Sequence, residues 1–118
     1  MIAFEDKTVL VVKDEPIVAM HTEDLLTDLG FKTVVVAGGV DRAFRALAAT
    51  PVDVAVLDVN LNGEKSFPIA EHLVQRSIPF LFATGYSDQE TPFPHAVMIN
   101  KPFNSEALES GMRTILSG

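Results

Sequence analysis

The sequence predicts an α/β fold: a doubly wound, five-stranded parallel sheet with helices on both faces. Three observations predict it. Short β-branched or aromatic runs alternate five times with helical patterns, as β-α units do. The runs are apolar on both sides, as strands buried inside a parallel sheet are. The residues with chemistry to offer stand just past the ends of those runs, where open α/β sheets hold their ligands. The 118-residue length fits one domain spanning residues 1–118, enough chain to bury about two thirds of its unfolded surface.

Thr8 to Val12 is the first strand, and Lys13-Asp14-Glu15-Pro16 breaks it. Pro16 suits the first turn of a helix, where its missing N–H costs nothing. Ile17, Met20, Leu25 and Leu29 give that helix a rough apolar stripe, and Gly30 stops it. Phe31 to Val36 is the second strand. Gly38-Gly39 turn the chain, Asp41 lies in the first turn of the next helix, and Val40, Phe44, Leu47 and Ala48 fit its buried face. Thr50-Pro51 ends it, and Val52 to Leu57 is the third strand. After a turn at Asn62-Gly63, Ser66 is placed to cap a helix with Pro68 in its first turn and with Ile69, Leu73 and Val74 inward. Phe80 to Ala83 is the fourth strand. Residues 87 to 95 hold two prolines and no period, which predicts a loop or a short irregular helix. Ala96 to Ile99 is the fifth strand. Asn104 or Ser105 caps the last helix, whose stripe is Leu108, Met112 and Ile115.

Composition narrows the function. The chain is 47% hydrophobic and 21% charged, with net charge −7 and no cysteine. A folded soluble domain is expected, without disulfides or thiolate zinc sites. The acidic balance argues against nucleic acid and anionic membranes as partners. No apolar stretch approaches the ~18 residues of a membrane span and the N-terminus has no signal-like region, so a cytoplasmic protein is expected. The chain stops just after its last helical pattern, so no effector domain is expected to follow. His21, His72 and His95 are scattered without ligand spacing and read as ordinary surface or boundary residues.

The residues past the strand ends are Lys13, Asp14 and Glu15, then Asp58, then Thr84, then Lys101. Asp58 closes the apolar run from Val54 to Leu57. Two carboxylates held close repel each other, and a hard cation resolves the conflict. Mg²⁺ takes oxygen ligands and commonly uses one or two carboxylates plus phosphate. Asp14 and Asp58 supply the carboxylates, and the backbone carbonyl of Asn60 is placed for a third contact. An aspartate can attack phosphorus and form an acyl phosphate. Charge on the equatorial oxygens of that transition state needs compensation, which Mg²⁺, the Lys101 ammonium and the Thr84 hydroxyl can provide.

With Val-Leu-Val-Val-Lys-Asp-Glu-Pro at 9–16, Leu-Asp-Val-Asn-Leu at 57–61, Ala-Thr-Gly at 83–85 and Lys-Pro-Phe at 101–103, the sequence resembles a response-regulator receiver domain, the CheY-like family of two-component signalling. Each motif is weak alone; together, in order and at the family's spacing, they are strong. The resemblance implies a flavodoxin-like (CheY-like) sheet of order 2-1-3-4-5 with five helices, the fourth short or disordered. It implies that Asp58 is phosphorylated in a Mg²⁺-dependent phosphorelay by a sensor histidine kinase, and that the partner-binding face then changes. Asp14 would be a metal ligand, Thr84 the switch hydroxyl and Lys101 the phosphate-pairing lysine, with a cis Lys101-Pro102 bond. Such a domain phosphorylates and dephosphorylates itself but is not a turnover enzyme, and is a monomer or a phosphorylation-dependent dimer.

A narrower resemblance rests on Pro79-Phe80-Leu81-Phe82-Ala83-Thr84-Gly85-Tyr86, with Asn62-Gly63-Glu64 and Phe67-Pro68-Ile69-Ala70 before it. These look like the "FAT GUY" receivers, often stand-alone, which occur with HWE or HisKA2-type kinases in alphaproteobacteria and lack the usual aromatic switch residue on the last strand. That position is Met98 here, and Tyr86 is the obvious replacement. One departure is chemical. Receivers usually carry two adjacent acids after the first strand, and the first is Lys13 here. Weaker Mg²⁺ binding is expected, with Lys13 paired to Asp14 or Asp58 while metal is absent and Glu15 in partial compensation.

Three competing readings remain. Lys13 could have spoiled the metal site, leaving an unphosphorylated protein-interaction module. A phosphatase of the haloacid dehalogenase type would want an acid two residues after its nucleophile, where Asn60 stands. A flavodoxin would want a hydroxyl- and glycine-rich loop where Lys13-Asp14-Glu15-Pro16 stands.

Overall fold

The computed structural model describes residues 4–61, 63–84, 93, 96–100 and 104–117, except the side chains of Thr84, Asn100 and Ser117. Five strands form a parallel sheet: β1 (Thr8–Val12), β2 (Thr33–Ala37), β3 (Val54–Asp58), β6 (Phe80–Thr84) and β7 (Val97–Asn100), while the short β4 (Asn60–Leu61) and β5 (Glu64–Lys65) pair with each other. Their spatial order is β2-β1-β3-β6-β7, which is 2-1-3-4-5 when the strands of this sheet are counted along the chain. The expected architecture is therefore borne out. Four helices accompany the sheet among the described residues: α1 (Pro16–Leu29), α2 (Val40–Ala49), α3 (Phe67–Gln75) and α4 (Ser105–Ser117). The short or disordered helix expected between β6 and β7 falls largely outside the described residues.

The sheet divides the interior into two cores. On one face Leu10, Val12, Leu57 and Phe82 pack against Ala43 and Leu47 of α2 and Ile69, Ala70 and Leu73 of α3. On the other, Val9, Val11, Val56, Leu81 and Ala83 pack against Leu26 of α1 and Leu108 and Met112 of α4. Each strand feeds both cores by alternation, so the central runs read as continuously apolar. Removing that much aliphatic surface from water, at about 25 cal/mol per Å², is the main force holding the layers together.

Local signals set most boundaries. Gly30 adopts the left-handed conformation at φ 106°, and its N–H reaches the carbonyls of Leu26 and Thr27 to close α1. Asn104 Oδ1 accepts a hydrogen bond from the Ala107 amide at 2.9 Å, capping α4. Gly111 lets α4 approach the sheet, because a Cβ there would lie 3.0 Å from Leu81 Cδ2.

The structure corrects several details. In α1 Ile17 and Met20 are 83% and 62% exposed, and the inward residues are Ala19, Thr22 and Leu26. Thr22 tolerates burial because its hydroxyl donates to the Val18 carbonyl at 2.9 Å. In α2 the buried positions are Ala43 and Leu47, with Val40 and Phe44 partly covered and Ala48 exposed. Val74 of α3 is 56% exposed. Ser66 sits at the N-cap of α3 without a side-chain cap, because its φ of −83° and ψ of 5° are not the extended geometry a capping side chain needs. Strand ends also shift: β2 starts at Thr33, and β3 runs from Val54 through Asp58. Phe31 instead stacks on Phe4, with ring centroids 4.6 Å apart.

Candidate functional site

The carboxyl edge of the sheet is assembled by register. Val12 is level with Ala37 on one side and with Leu57 on the other. The Lys13 amide donates to the Ala37 carbonyl at 3.1 Å and closes the last pairing of β1 with β2. Lys13 follows Val12 directly as Asp58, the last residue of the central strand β3, follows its partner Leu57. Asp58 is paired with Ala83, and Thr84 follows one step further out, paired with Asn100. The sheet thus brings positions 13, 58 and 84 onto three neighbouring strands at one edge. Lys101 follows Asn100 directly, but it and Tyr86 lie outside the described residues.

Alternation sorts these positions by face. Val11 and Val56 belong to the core beneath α1 and α4, as does Ala83. Two residues on from Val11 and Val56, positions 13 and 58 return to that same face, and position 84 falls on the other.

Burial separates the acids. Asp58 is 5% exposed; Asp14 is half-buried, and Glu15 and Asn60 are exposed. Lys13 is 2% exposed, which makes it one of the largest fully buried side chains. Among the described residues Lys13 and Asp58 are the two buried charged side chains. Taking either ion out of water costs several kcal/mol unless a partner compensates, and each makes an interaction here.

Sequence reasoning found only a turn after Asp58; the structure has a hairpin. Asn60–Leu61 (β4) pairs antiparallel with Glu64–Lys65 (β5). Gly63 has a φ of 95°, and its amide donates to Asn60 Oδ1 at 3.2 Å. The Ser66 amide closes the excursion on the Val59 carbonyl at 3.0 Å. Asn62-Gly63 was the signal for it, since that dipeptide favours tight hairpin turns. The hairpin fixes the backbone at Asn60, next but one to Asp58.

The donors fit a hard cation in reduced form. Mg²⁺ can be held by one or two carboxylates with water making up the rest, and Asp58 and Asp14 would be those two. Among the described residues no three His, Cys, Asp or Glu side chains group to hold a metal, since position 13 brings an ammonium where a third acid would complete the set. An apolar cavity of about 570 Å³, lined by Phe80, Phe93, Val97 and Ile115 among others, lies toward the opposite end of the sheet, where β6 and β7 begin.

A parallel sheet of order 2-1-3-4-5 is shared by several functions; a buried aspartate closing its central strand is the arrangement the receiver class calls for. The family model described as the response regulator receiver domain matches residues 9–113, and the chain belongs to that family. Receiver domains are signalling modules of two-component systems. The chain is similar to SdrG from Sphingomonas melonis Fr1, with 39% identity, 93% of this chain and 96% of that one covered, and a TM-score of 0.83. It is likewise similar to the BeF3-activated conformation of SdrG from Pseudomonas melonis Fr1, at 36% identity, 98% and 99% coverage and a TM-score of 0.80. Two curated transcriptional regulatory proteins match at 29% identity. TorR of Escherichia coli O157:H7 aligns over 82 residues, 69% of this chain and 35% of its own length. YvrH of Bacillus subtilis (strain 168) aligns over 118 residues, 95% of this chain and 50% of its own length. The chain thus spans half or less of the curated relatives it matches. Among the described residues no helix is long and apolar enough to cross a membrane.

Proposed function

We propose that the chain is a receiver whose Asp58 accepts a phosphoryl group from the phosphohistidine of a sensor histidine kinase, and that phosphorylation alters a partner-binding face. The observation that carries the reading is the buried Asp58 carboxylate at the carboxyl end of the central strand, at the same edge as Lys13 and one residue short of the level of Thr84. A carboxylate oxygen of Asp58 attacks phosphorus. The N–P bond breaks, and the imidazole nitrogen leaves with its electron pair and takes up a proton. Burial strips water from the nucleophile, and the sheet fixes its direction of attack. Lys101 pairs with the phosphoryl oxygens and Thr84 donates its hydroxyl to them. Asp14, Asp58 and the Asn60 carbonyl would hold Mg²⁺, which would supply positive charge against the transferring oxygens.

The donor is another protein, of the HWE or HisKA2 type by the narrower resemblance. The domain, residues 1–118, acts in the cytoplasm without nucleic acid or membrane. It is a monomer or dimerises on phosphorylation. Tyr86 takes the part of the aromatic switch residue absent at Met98, and Tyr86→Ala should then uncouple partner binding from phosphorylation. Partner binding that still follows phosphorylation in that variant removes the role. For the central claim, the chain is treated with phosphoramidate and Mg²⁺ and its intact mass measured. A gain of one phosphoryl group, abolished in Asp58→Asn, is the expected result; no gain, or a gain that survives Asp58→Asn, refutes the reading.

The buried Lys13 favours a second reading, in which the metal site is too weak to work and the unphosphorylated chain binds its partner. The same measurement separates the two.

A further inference from the structure

The Asp58 chemistry leaves one expensive group without a task. Lys13 is 2% exposed at the edge of the sheet. A lysine at such an edge ordinarily runs its stem along the surface and keeps its ammonium in water; this one does not. The packing of β1 has no need of a cation, for Val9, Leu10, Val11 and Val12 before it are aliphatic and fully buried. The other buried charge among the described residues is Asp58. Lys13 and Asp58 directly follow the paired residues Val12 and Leu57, and parallel neighbours lie about 4.8 Å apart. By alternation both positions belong to the face of α1 and α4.

The geometry points to Lys13 as a phosphoryl-contacting residue: its ammonium is a built-in cation for the oxygens of Asp58 and, after transfer, for the phosphoryl group bonded there. The inference rests on the reading of Asp58 as the acceptor. In the balanced step with phosphoramidate, an Asp58 oxygen bonds to phosphorus, the P–N bond breaks, and the nitrogen, already protonated, departs as ammonia. The carboxylate and the incoming monoanion leave an aspartyl phosphate with two negative charges. Lys13 compensates part of that charge without being consumed and without giving up its proton. Part of the work of a diffusible divalent cation is thereby done by the chain itself, and phosphorylation persists when that cation is scarce.

The test compares the wild type with Lys13→Met, Lys13→Gln, Lys13→Arg and Lys13→Asp, each checked for folding by circular dichroism. Phosphoryl gain from phosphoramidate is timed by intact mass in saturating Mg²⁺ and in EDTA. Beryllofluoride binding is followed by ¹⁹F NMR in the same two conditions, a readout that needs no turnover. The wild type should keep an Asp58-dependent adduct in EDTA. Lys13→Met should lose that EDTA rate by on the order of ten- to a hundredfold, the size of one lost hydrogen bond to a charged group, and change much less in Mg²⁺. Lys13→Arg should retain more of the EDTA rate than Lys13→Met, and beryllofluoride affinity in EDTA should follow the same order. Lys13→Gln replaces the Met variant if that one does not fold. Equal EDTA rates and beryllofluoride affinities in the wild type and the uncharged variant overturn the inference, and leave the acceptor reading standing if both are phosphorylated in Mg²⁺. An absence of any Asp58 adduct in the wild type and Lys13→Asp, even in Mg²⁺, overturns the acceptor reading and the inference together.

Discussion

Lys13→Asp should tighten Mg²⁺ binding, and the size of the effect can be worked from the register. The substitution changes the charge by two units at the residue after Val12, whose partner Leu57 precedes Asp58. One strand spacing, about 4.8 Å, is the relevant separation from an ion held by Asp58. Two charge units against a divalent ion at about 5 Å amount to roughly 3 kcal/mol with the dielectric of bulk water. Screening at physiological ionic strength, with a Debye length of about 8 Å, cuts this to about half. Burial of both side chains works the other way, since field lines that pass through protein are screened less. Affinity should therefore rise roughly 20- to 200-fold. Isothermal titration with Mg²⁺ measures it. Lys13→Met, which changes the charge by one unit, should fall near the midpoint on a logarithmic scale. That intermediate value separates electrostatics from the gain of a new oxygen ligand, which would appear in the Asp variant alone. An affinity for Lys13→Asp within about twofold of the wild type, under 0.5 kcal/mol, refutes the reasoning and means that the buried ammonium lies out of reach of the metal position.

Other consequences follow from the same geometry. On the proposed reading, a donor protein that brings its phosphohistidine against Asp58 covers the rim of the sheet, where Ile17 and Met20 are exposed on α1. Ile17→Ser with Met20→Ser should slow transfer from the cognate kinase while leaving phosphoramidate labelling unchanged, and should shift stability by no more than about 0.5 kcal/mol per site; equal loss with both donors would show damage to the site instead of to docking. Gly111→Ala gains about 1 kcal/mol of helix propensity but sets a Cβ 3.0 Å from the buried Leu81. Overpacking costs about 1–3 kcal/mol, so urea unfolding should show a net loss of up to about 2 kcal/mol, and a more stable variant would contradict the close approach. Asn104→Ala removes the side-chain acceptor for the Ala107 amide and should cost about 1 kcal/mol in the same assay, with an unchanged midpoint counting against the cap.

The sheet was legible because its strands are buried on both faces, which makes each one a continuous apolar run between breakers. The helices were less so, for physical reasons visible residue by residue. In α1 the inward face is built from Ala19, Thr22 and Leu26, and two of those three carry little hydrophobic weight in a periodicity count. Thr22 becomes an interior residue only because its hydroxyl finds the Val18 carbonyl, a bond no stripe of apolar letters reveals. Ile17 and Met20, the residues that do carry weight, face solvent. Ala43 likewise supplies the packing of α2 that Ala48 was expected to give. Small residues sit where a helix lies close to a sheet, so the nearest contacts are those hydrophobicity ranks lowest.

At the site, position along the chain was enough to find the edge, because a strand end is a sequence feature. What it could not give is which charges lose their water there. Asp14, Glu15 and Lys13 are consecutive, and as letters they read as a solvated break after a strand. The structure separates them: Glu15 is exposed, Asp14 half-buried and Lys13 enclosed. The Lys13 amide is still tied to the sheet, through its bond to the Ala37 carbonyl. Lys13 is the first residue past β1, one step beyond the Val12–Leu57 pair whose other strand continues into Asp58. What reads in the sequence as an ordinary surface lysine is a buried cation at the same edge of the sheet as the buried Asp58. If Asp58 is the acceptor proposed above, the missing acid at position 13 is also the gain of a fixed charge, and the dependence of phosphorylation on Mg²⁺ is the property to measure first.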